Sequence, residues 1–195
     1  MPEETQGTGA AGAQPQWLSD WRHSPIWCIE ALRQFDALQG IEPEALLGRW
    51  RGASLPTGHP LDGLLEKLGW YGKAFESRDR VRPLLFRDAS GELTALDPAL
   101  MPVTLALRAP RLARSKLTGL AFSTLRPFLG TRHSGAALRA VEFRGRRSTA
   151  MVYDRQPIID HFRRIDEART LGLMEIQSWP QPFFFLLSRD DSGSA

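Results

Sequence analysis

The chain has 195 residues, of which 42% are hydrophobic and 24% charged, and a formal net charge of +3. That is the composition of a globular protein able to bury a sizeable core, and no apolar run approaches the roughly 18 residues of a membrane-spanning helix. The one cysteine, Cys28, excludes an internal disulfide and any multi-cysteine metal site. The start Met1-Pro2-Glu3-Glu4 has neither the basic nor the apolar part of a secretion signal, so a cytoplasmic location is expected.

Residues 1 to about 16 are mostly Gly, Ala, Gln and Pro with little to bury, and read as a disordered tail. Residues 17–46 read as an N-terminal helical segment. In it Ser24-Pro25 is an N-cap followed by proline in the first turn, and Gly40 is the stop. Ile26, Trp27, Ile29, Leu32, Phe35 and Leu38 recur at helical spacing, so this helix must dock on the outside or across one end of the larger domain C-terminal to it. Cys28 lies in it and reads as a partly buried thiol rather than a nucleophile.

The barrel domain is expected over residues 47–190. It opens with Gly48-Arg49-Trp50-Arg51-Gly52, read as a strand whose alternation puts Gly48, Trp50 and Gly52 on one face and both arginines on the other. A large aromatic between two glycines suits the crowded base of a small β-barrel: the indole plugs the end, and the glycines let the strand bend and backbones approach. The turn-rich connector Leu55-Pro56-Thr57-Gly58-His59-Pro60 leads to a short helix over residues 61–68, with Leu61, Leu64, Leu65 and Leu68 on one side and Gly69 ending it. His59 is either a polar group or general base at a cavity mouth, or a turn histidine bonding backbone. Asp62 orients it or caps the helix. Tyr71, Lys73 and Phe75 then alternate, so a tyrosine and a lysine are expected to share a side suited to gripping a carboxylate. A lysine snorkelling at the rim is an equally ordinary reading.

Residues 84–86 and 92–95 flank Asp88-Ala89-Ser90-Gly91 as a hairpin. Residues 98–135, interrupted by Pro98, Pro102, Pro110 and Pro127, yield no assignment of elements. Between residues 108 and 147 ten Arg or Lys stand against one acid, Glu142. Such a stretch attracts nucleic acid, an anionic lipid surface or an anionic small molecule, or is a solvated basic face. It lacks any recognisable nucleic-acid-binding motif.

Residues 138–143 and 148–153 flank a tight turn at Arg144-Gly145, and 158–165, 171–177 and 183–188 come after them with brief links. Five such strands form an antiparallel meander, the pattern of an up-and-down barrel. Tyr153, Asp154, Asp160, His161, Arg163 and Asp166 make the densest polar cluster. On the strand at 158–165, His161 and Arg163 share a face with Ile159 and Ile165, while Asp160 and Arg164 share the other with Ile158 and Phe162. The first face is expected to turn inward, so that His161 and Arg163 meet the polar end of a ligand. An internal ion-pair network with Asp154 or Asp166 is the alternative. The histidines show no metal-ligand spacing, and there is no GxSxG, P-loop or Rossmann pattern, so neither metal nor cofactor is expected.

Several of these motifs carry a resemblance. Residues 47–86, with Gly-Arg-Trp-Arg-Gly, Leu-Pro-Thr-Gly-His-Pro-Leu-Asp-Gly-Leu-Leu and Gly-Trp-Tyr-Gly-Lys, resemble the bacterial GXWXG domain. Residues 136–189, with Ala-Met-Val-Tyr-Asp-Arg-Gln-Pro-Ile-Ile-Asp-His-Phe-Arg-Arg-Ile-Asp, resemble the domain of unknown function that usually accompanies it. The first part spans about residues 44–100 and the second about 125–189. The chain departs from the pattern at Met174-Glu175-Ile176-Gln177-Ser178, where such proteins are expected to have a Met-Asp-x-Lys-Gly turn. The family is named for a motif and implies no activity.

The GxWxG start and closing meander also resemble the calycin group of lipocalins and fatty-acid-binding proteins. The fold class expected is therefore mainly β: a calycin-like antiparallel barrel with an N-terminal helix and a short helical cap after the first strand. The lipocalin likeness implies that Arg189 packs over Trp50, so that Gly48, Trp50, Gly52 and Arg189 form the barrel base. Strands carrying Met151, Met174, Phe183 and Phe185 with a few polar residues suit a small hydrophobic or amphipathic ligand, fatty-acid-like or lacking a carboxylate. His59, Tyr71, Lys73, Tyr153, His161 and Arg163 are the expected contacts. The rivals are an enzyme using His161 or His59 with Tyr153 or an aspartate, and a nucleic-acid or anionic-membrane binder using residues 108–147. Haem on His161 or His59 is the alternative to the absence of a cofactor.

Overall fold

The computed structural model describes residues 16–21, 25–88 and 90–191. The expected tail lies outside them except for Gln16, which begins helix α1, and Ser24 also lies outside. Among the described residues nine strands form one sheet: β1 (Gly48–Ser54), β2 (Trp70–Ser77), β3 (Arg80–Arg87), β4 (Leu93–Ala95), β5 (Ala136–Phe143), β6 (Arg146–Tyr153), β7 (Ile158–Arg164), β8 (Arg169–Ile176) and β9 (Trp179–Arg189). Their order is β2-β1-β9-β8-β7-β6-β5-β3-β4, and a further β2–β3 pairing joins the two ends. Eight strands therefore close into an antiparallel barrel, with β4 attached to β3 beside the ring. Closure leaves no continuous exposed edge.

One seam is thin. Strands β3 and β5 form one ladder pair, Val81 with Ala136, and the far half of β3 pairs instead with β4, from Leu85–Ala95 to Arg87–Leu93. By contrast β5 and β6 pair over eight positions, around Arg144-Gly145. Those two residues have φ of 49° and 69°, the left-handed pair that a two-residue hairpin of matching twist requires.

The inward residues of the strands make the main core, with Trp50, Phe75, Phe86, Phe162, Phe183 and Phe185. A second core lies outside the barrel wall. There α1 (Gln16–Trp21) and α2 (Cys28–Ala37) bring Leu18, Ala31 and Phe35 onto Leu171, Leu173, Phe184 and Leu186. Helix α2 starts later than Pro25 suggests, because the Ile26 N–H is held by the carbonyl of Pro56 at 3.1 Å. Trp27, ahead of the helix, and Ile29, on the helix face away from Ala31 and Phe35, point to solvent instead of joining the stripe. A short α3 (Pro43–Leu46) leads into β1.

The helix expected over 61–68 is shorter, with α4 confined to Leu64–Lys67 after a turn, but its four leucines still face one way. The unassigned stretch is helical. After a 3-10 turn at Pro98–Leu100 come α5 (Val103–Arg108), α6 (Pro110–Ala113) and α7 (Lys116–Leu125), inserted between β4 and β5. Pro110 occupies the first turn of α6, and the Ser115 hydroxyl caps α7 by accepting the Thr118 N–H at 3.1 Å. The prolines that obscure this segment thus begin its helices.

Candidate functional site

A cavity of about 210 Å³ lies between the barrel interior and two helical pieces. Leu61, Leu64, Leu65 and Leu68 line it from one side, and Ala106, Ala113 and Phe122 of α5–α7 from the other. The barrel contributes Trp70, Leu84, Met174, Phe183 and Phe185, and its polar groups include Lys73, Tyr153 and Gln156.

Lys73 faces this cavity because of an irregularity in β2. Trp70 pairs with Phe86 but Gly72 with Leu85, so β2 carries one extra residue there. Tyr71 is turned outward and Lys73 returns to the inside, opposite Trp50 in β1. Gly72 is required at the bulge: its φ is 150°, and a Cβ there would sit 2.0 Å from the Trp50 carbonyl oxygen. The expectation that Tyr71 and Lys73 share a side is therefore corrected. Outside the barrel, the Tyr71 hydroxyl donates to Asp190 and accepts from Arg51 Nε at 3.2 Å, with the Arg87 guanidinium 4.6 Å over its ring.

Lys73 is 3% exposed and Asp160 0%. The Lys73 ammonium lies 2.9 Å from Asp160 Oδ2 and 3.4 Å from the Tyr153 hydroxyl, and also donates to the Pro83 carbonyl at 3.3 Å. It stands 4.9 Å over the Phe185 ring. Burial pushes the Asp160 carboxyl above its ordinary range, and Lys73 opposes that rise. Burial, with the Asp160 charge adding to it, pushes the Tyr153 hydroxyl well up, so it remains a donor at neutral pH. Two polar atoms here have no protein partner among the described residues: Asp160 Oδ1 and the indole N–H of Trp70.

The other expected contacts are not brought to this cluster. His161 and Arg163 lie outside the barrel, because Ile158, Asp160 and Phe162 are the inward residues of β7. The His161 ring stacks on Phe143 at 3.6 Å, and its Nε2 is 3.0 Å from Glu175. Arg163 is sealed beneath α2, 4.7 Å over the Phe35 ring and donating to the Phe143 carbonyl at 2.7 Å. The inward assignment of this face is thus reversed: aromatic rings, Glu175 and backbone carbonyls supply the partners that burial demands. Asp154 and Asp166 do not pair with either; Asp166 bonds Arg169.

His59 is buried against Phe183 and Trp179, with its Nδ1 accepting the Leu61 N–H at 3.1 Å. Burial pushes its pKa down to about 4. Asp62 does not touch the ring: its Oδ2 accepts the N–H groups of Thr57, Gly58 and His59, each at 2.9 Å. His59 is thus a neutral turn histidine beside the cavity wall.

At the opposite end, the Arg189 guanidinium lies 4.3 Å over the Trp50 ring. It donates to the carbonyls of Leu47 at 2.9 Å and Ala45 at 2.6 Å, while the Trp50 indole donates to Leu46 at 2.7 Å. Arginine and tryptophan together bond three consecutive carbonyls around the end of α3 and shut that end. Gly52 leaves room for the Trp70 ring, which a Cβ would meet at 2.1 Å.

Sequence reasoning misses two parts of the site. Asp160 stands out within a polar cluster, but its partner Lys73 is distant in sequence, and no local pattern joins them. The helices over the cavity lie in the proline-interrupted stretch, where the proline-led starts of α6 and the 3-10 turn are the usable signal.

Residues 33–91 match the family described as GXWXG protein, and residues 134–189 match the domain of unknown function DUF4334. No curated protein matches. A solved structure described as the crystal structure of a protein from Thermomonospora curvata is similar, with 31% identity and a TM-score of 0.66. The similarity covers 90% of this chain and 97% of that one. On the two matched domains in tandem, and on a relative so fully covered, the chain belongs to the GXWXG family.

Proposed function

We propose that the protein binds a small, largely apolar molecule in the barrel cavity, with one uncharged oxygen of that molecule held at Lys73 and Tyr153. The observation that carries this reading is an almost wholly apolar cavity with a buried Lys73–Asp160 pair and the Tyr153 hydroxyl at its wall. Ligand pockets combine apolar walls with few placed polar groups in this manner. The unpartnered Trp70 indole N–H adds a donor that a ligand acceptor would satisfy.

The charge balance narrows the head group. Asp160 already neutralises Lys73, so an incoming carboxylate would meet a second carboxylate beside the ammonium. A ketone, aldehyde or alcohol oxygen accepts from Lys73 or Tyr153 without that repulsion. The volume, about 210 Å³, is below the roughly 300–1,000 Å³ of drug-sized pockets and suits a short chain or a single ring.

Calorimetric titration with octanol, octanal, octanoate and octane tests this. Octanol and octanal are expected to bind more tightly than octanoate. Tyr153→Phe should weaken the oxygenated neutral ligands by roughly three- to tenfold, about one neutral hydrogen bond, and leave octane unchanged. Octanoate binding tighter than octanol would overturn the head-group assignment, and no binding of any of the four would overturn the reading itself.

A further inference from the structure

We propose that the outer face of α5–α7 docks on an anionic lipid bilayer. Most of the exposed large hydrophobic side chains among the described residues belong to these helices and the turn after them: Leu105, Leu112, Leu117, Leu120, Leu125 and Phe128. Leu117 is 79% and Phe128 82% exposed. Along α7, Thr118 and Phe122 turn to the cavity, Leu120 lies on the opposite side and Leu117 flanks it, both exposed. Solvent gives no reason to hold so many aliphatic groups outward.

The same segment is wholly cationic. Residues 103–132 contain Arg108, Arg111, Arg114, Lys116, Arg126 and Arg132 and no Asp or Glu. Elsewhere surface arginines meet acids, as Arg144 meets Asp36 and Arg139 meets Asp79. Arg108, Arg111 and Lys116 are exposed and pair with no acid among the described residues. Aliphatic tips among unneutralised cations match a surface with anionic head groups above acyl chains. Nucleic acid would match the charge but not the leucines, which offer little for bases to stack on.

The docking face also meets the cavity. Leu105 and Leu112 line the cavity and yet are 57% and 58% exposed, so its rim lies on this face. A molecule passing between acyl chains and the barrel would not cross open water. The docking itself does not depend on what the cavity holds.

Vesicle flotation of the full chain provides the test. Binding is expected to phosphatidylcholine vesicles containing phosphatidylglycerol and not to phosphatidylcholine alone, and it should weaken as salt rises. The exposed double substitution Leu117→Ser with Leu120→Ser should lower the partition at least about tenfold. Arg108→Gln, Arg111→Gln and Lys116→Gln together should lower it about a hundredfold, at roughly fivefold per cation near the surface. Circular dichroism of each variant should match wild type, since every substituted side chain is exposed. Equal binding to neutral and anionic vesicles, or none to either, would overturn the proposal. So would binding to random oligonucleotides that persists in the leucine variant, or a lipid-free dimer that the leucine variant abolishes.

Discussion

Among the described residues two cations are buried almost completely, Lys73 inside the barrel and Arg163 outside it, and they are satisfied by different means. Lys73 has a carboxylate at 2.9 Å and faces a cavity. Arg163 has no carboxylate within ion-pair distance among the described residues; a phenylalanine ring and the carbonyls of Phe143 and Phe162 receive it, away from the cavity lining. The nearby Asp36 is already bound by Arg144 in two hydrogen bonds of 2.6 Å. Burial of a charge therefore does not by itself mark a functional site. What distinguishes Lys73 is space beside a charge that is already balanced; Arg163 acts as a clamp between α2 and the barrel wall.

The largest expected effect breaks the balanced pair. Asp160→Ala leaves the ammonium buried without its partner and should cost about 3–5 kcal/mol in urea denaturation. The double variant Lys73→Met with Asp160→Leu should recover most of that loss. If Asp160→Ala unfolds at the wild-type urea concentration, the two cations are held alike and the contrast fails.

A third buried basic group, His59, sharpens the contrast because it is kept neutral. Its folded pKa of about 4 lies below the ordinary 6.5. Above about pH 6.5 both folded and unfolded states hold it uncharged, and it contributes no pH dependence. As pH falls from about 6.5 to about 4 the unfolded chain takes up a proton that the folded chain refuses, and stability declines by about 3 kcal/mol in total. Urea titrations across that range should show a steeper fall for wild type than for His59→Gln. Parallel curves would mean that His59 is solvated.

The smallest effect belongs to the clamp. Arg163→Met should cost about 1–2 kcal/mol through the lost ring contact and carbonyl bonds. Octanol affinity should stay within about twofold of wild type, since no cavity group is touched. A collapse of affinity with stability intact would return Arg163 to the binding machinery.

The sequence carries the barrel plainly and the site only in part. The closing meander and the GxWxG strand are legible because a period of two and short turns are local signals. Alternation also separates the faces of β7 correctly, with Asp160, Ile158 and Phe162 together. It cannot say which face is inward, because the outer face is buried as well, under α2, and so also carries apolar residues. In β2 the period itself is interrupted: one added residue at Tyr71-Gly72 sends Tyr71 and Lys73 to opposite sides. The Lys73–Asp160 contact joins residues far apart in the chain, and no pattern along either strand encodes it.

The single-pair seam at Val81 and Ala136 has a consequence in time. Elsewhere around the ring a parting of strands must break several ladder bonds together, which makes those walls open and close as cooperative units. Along the far half of β3 the wall continues only as the three-residue β4 and the inserted helices, which can swing aside without unzipping the barrel. Among the strands and the inserted helices, backbone amides of β4 and of α5–α7 should therefore exchange with deuterium earliest and those of β8 and β9 last, which puts the faster breathing of the barrel at the wall of its cavity.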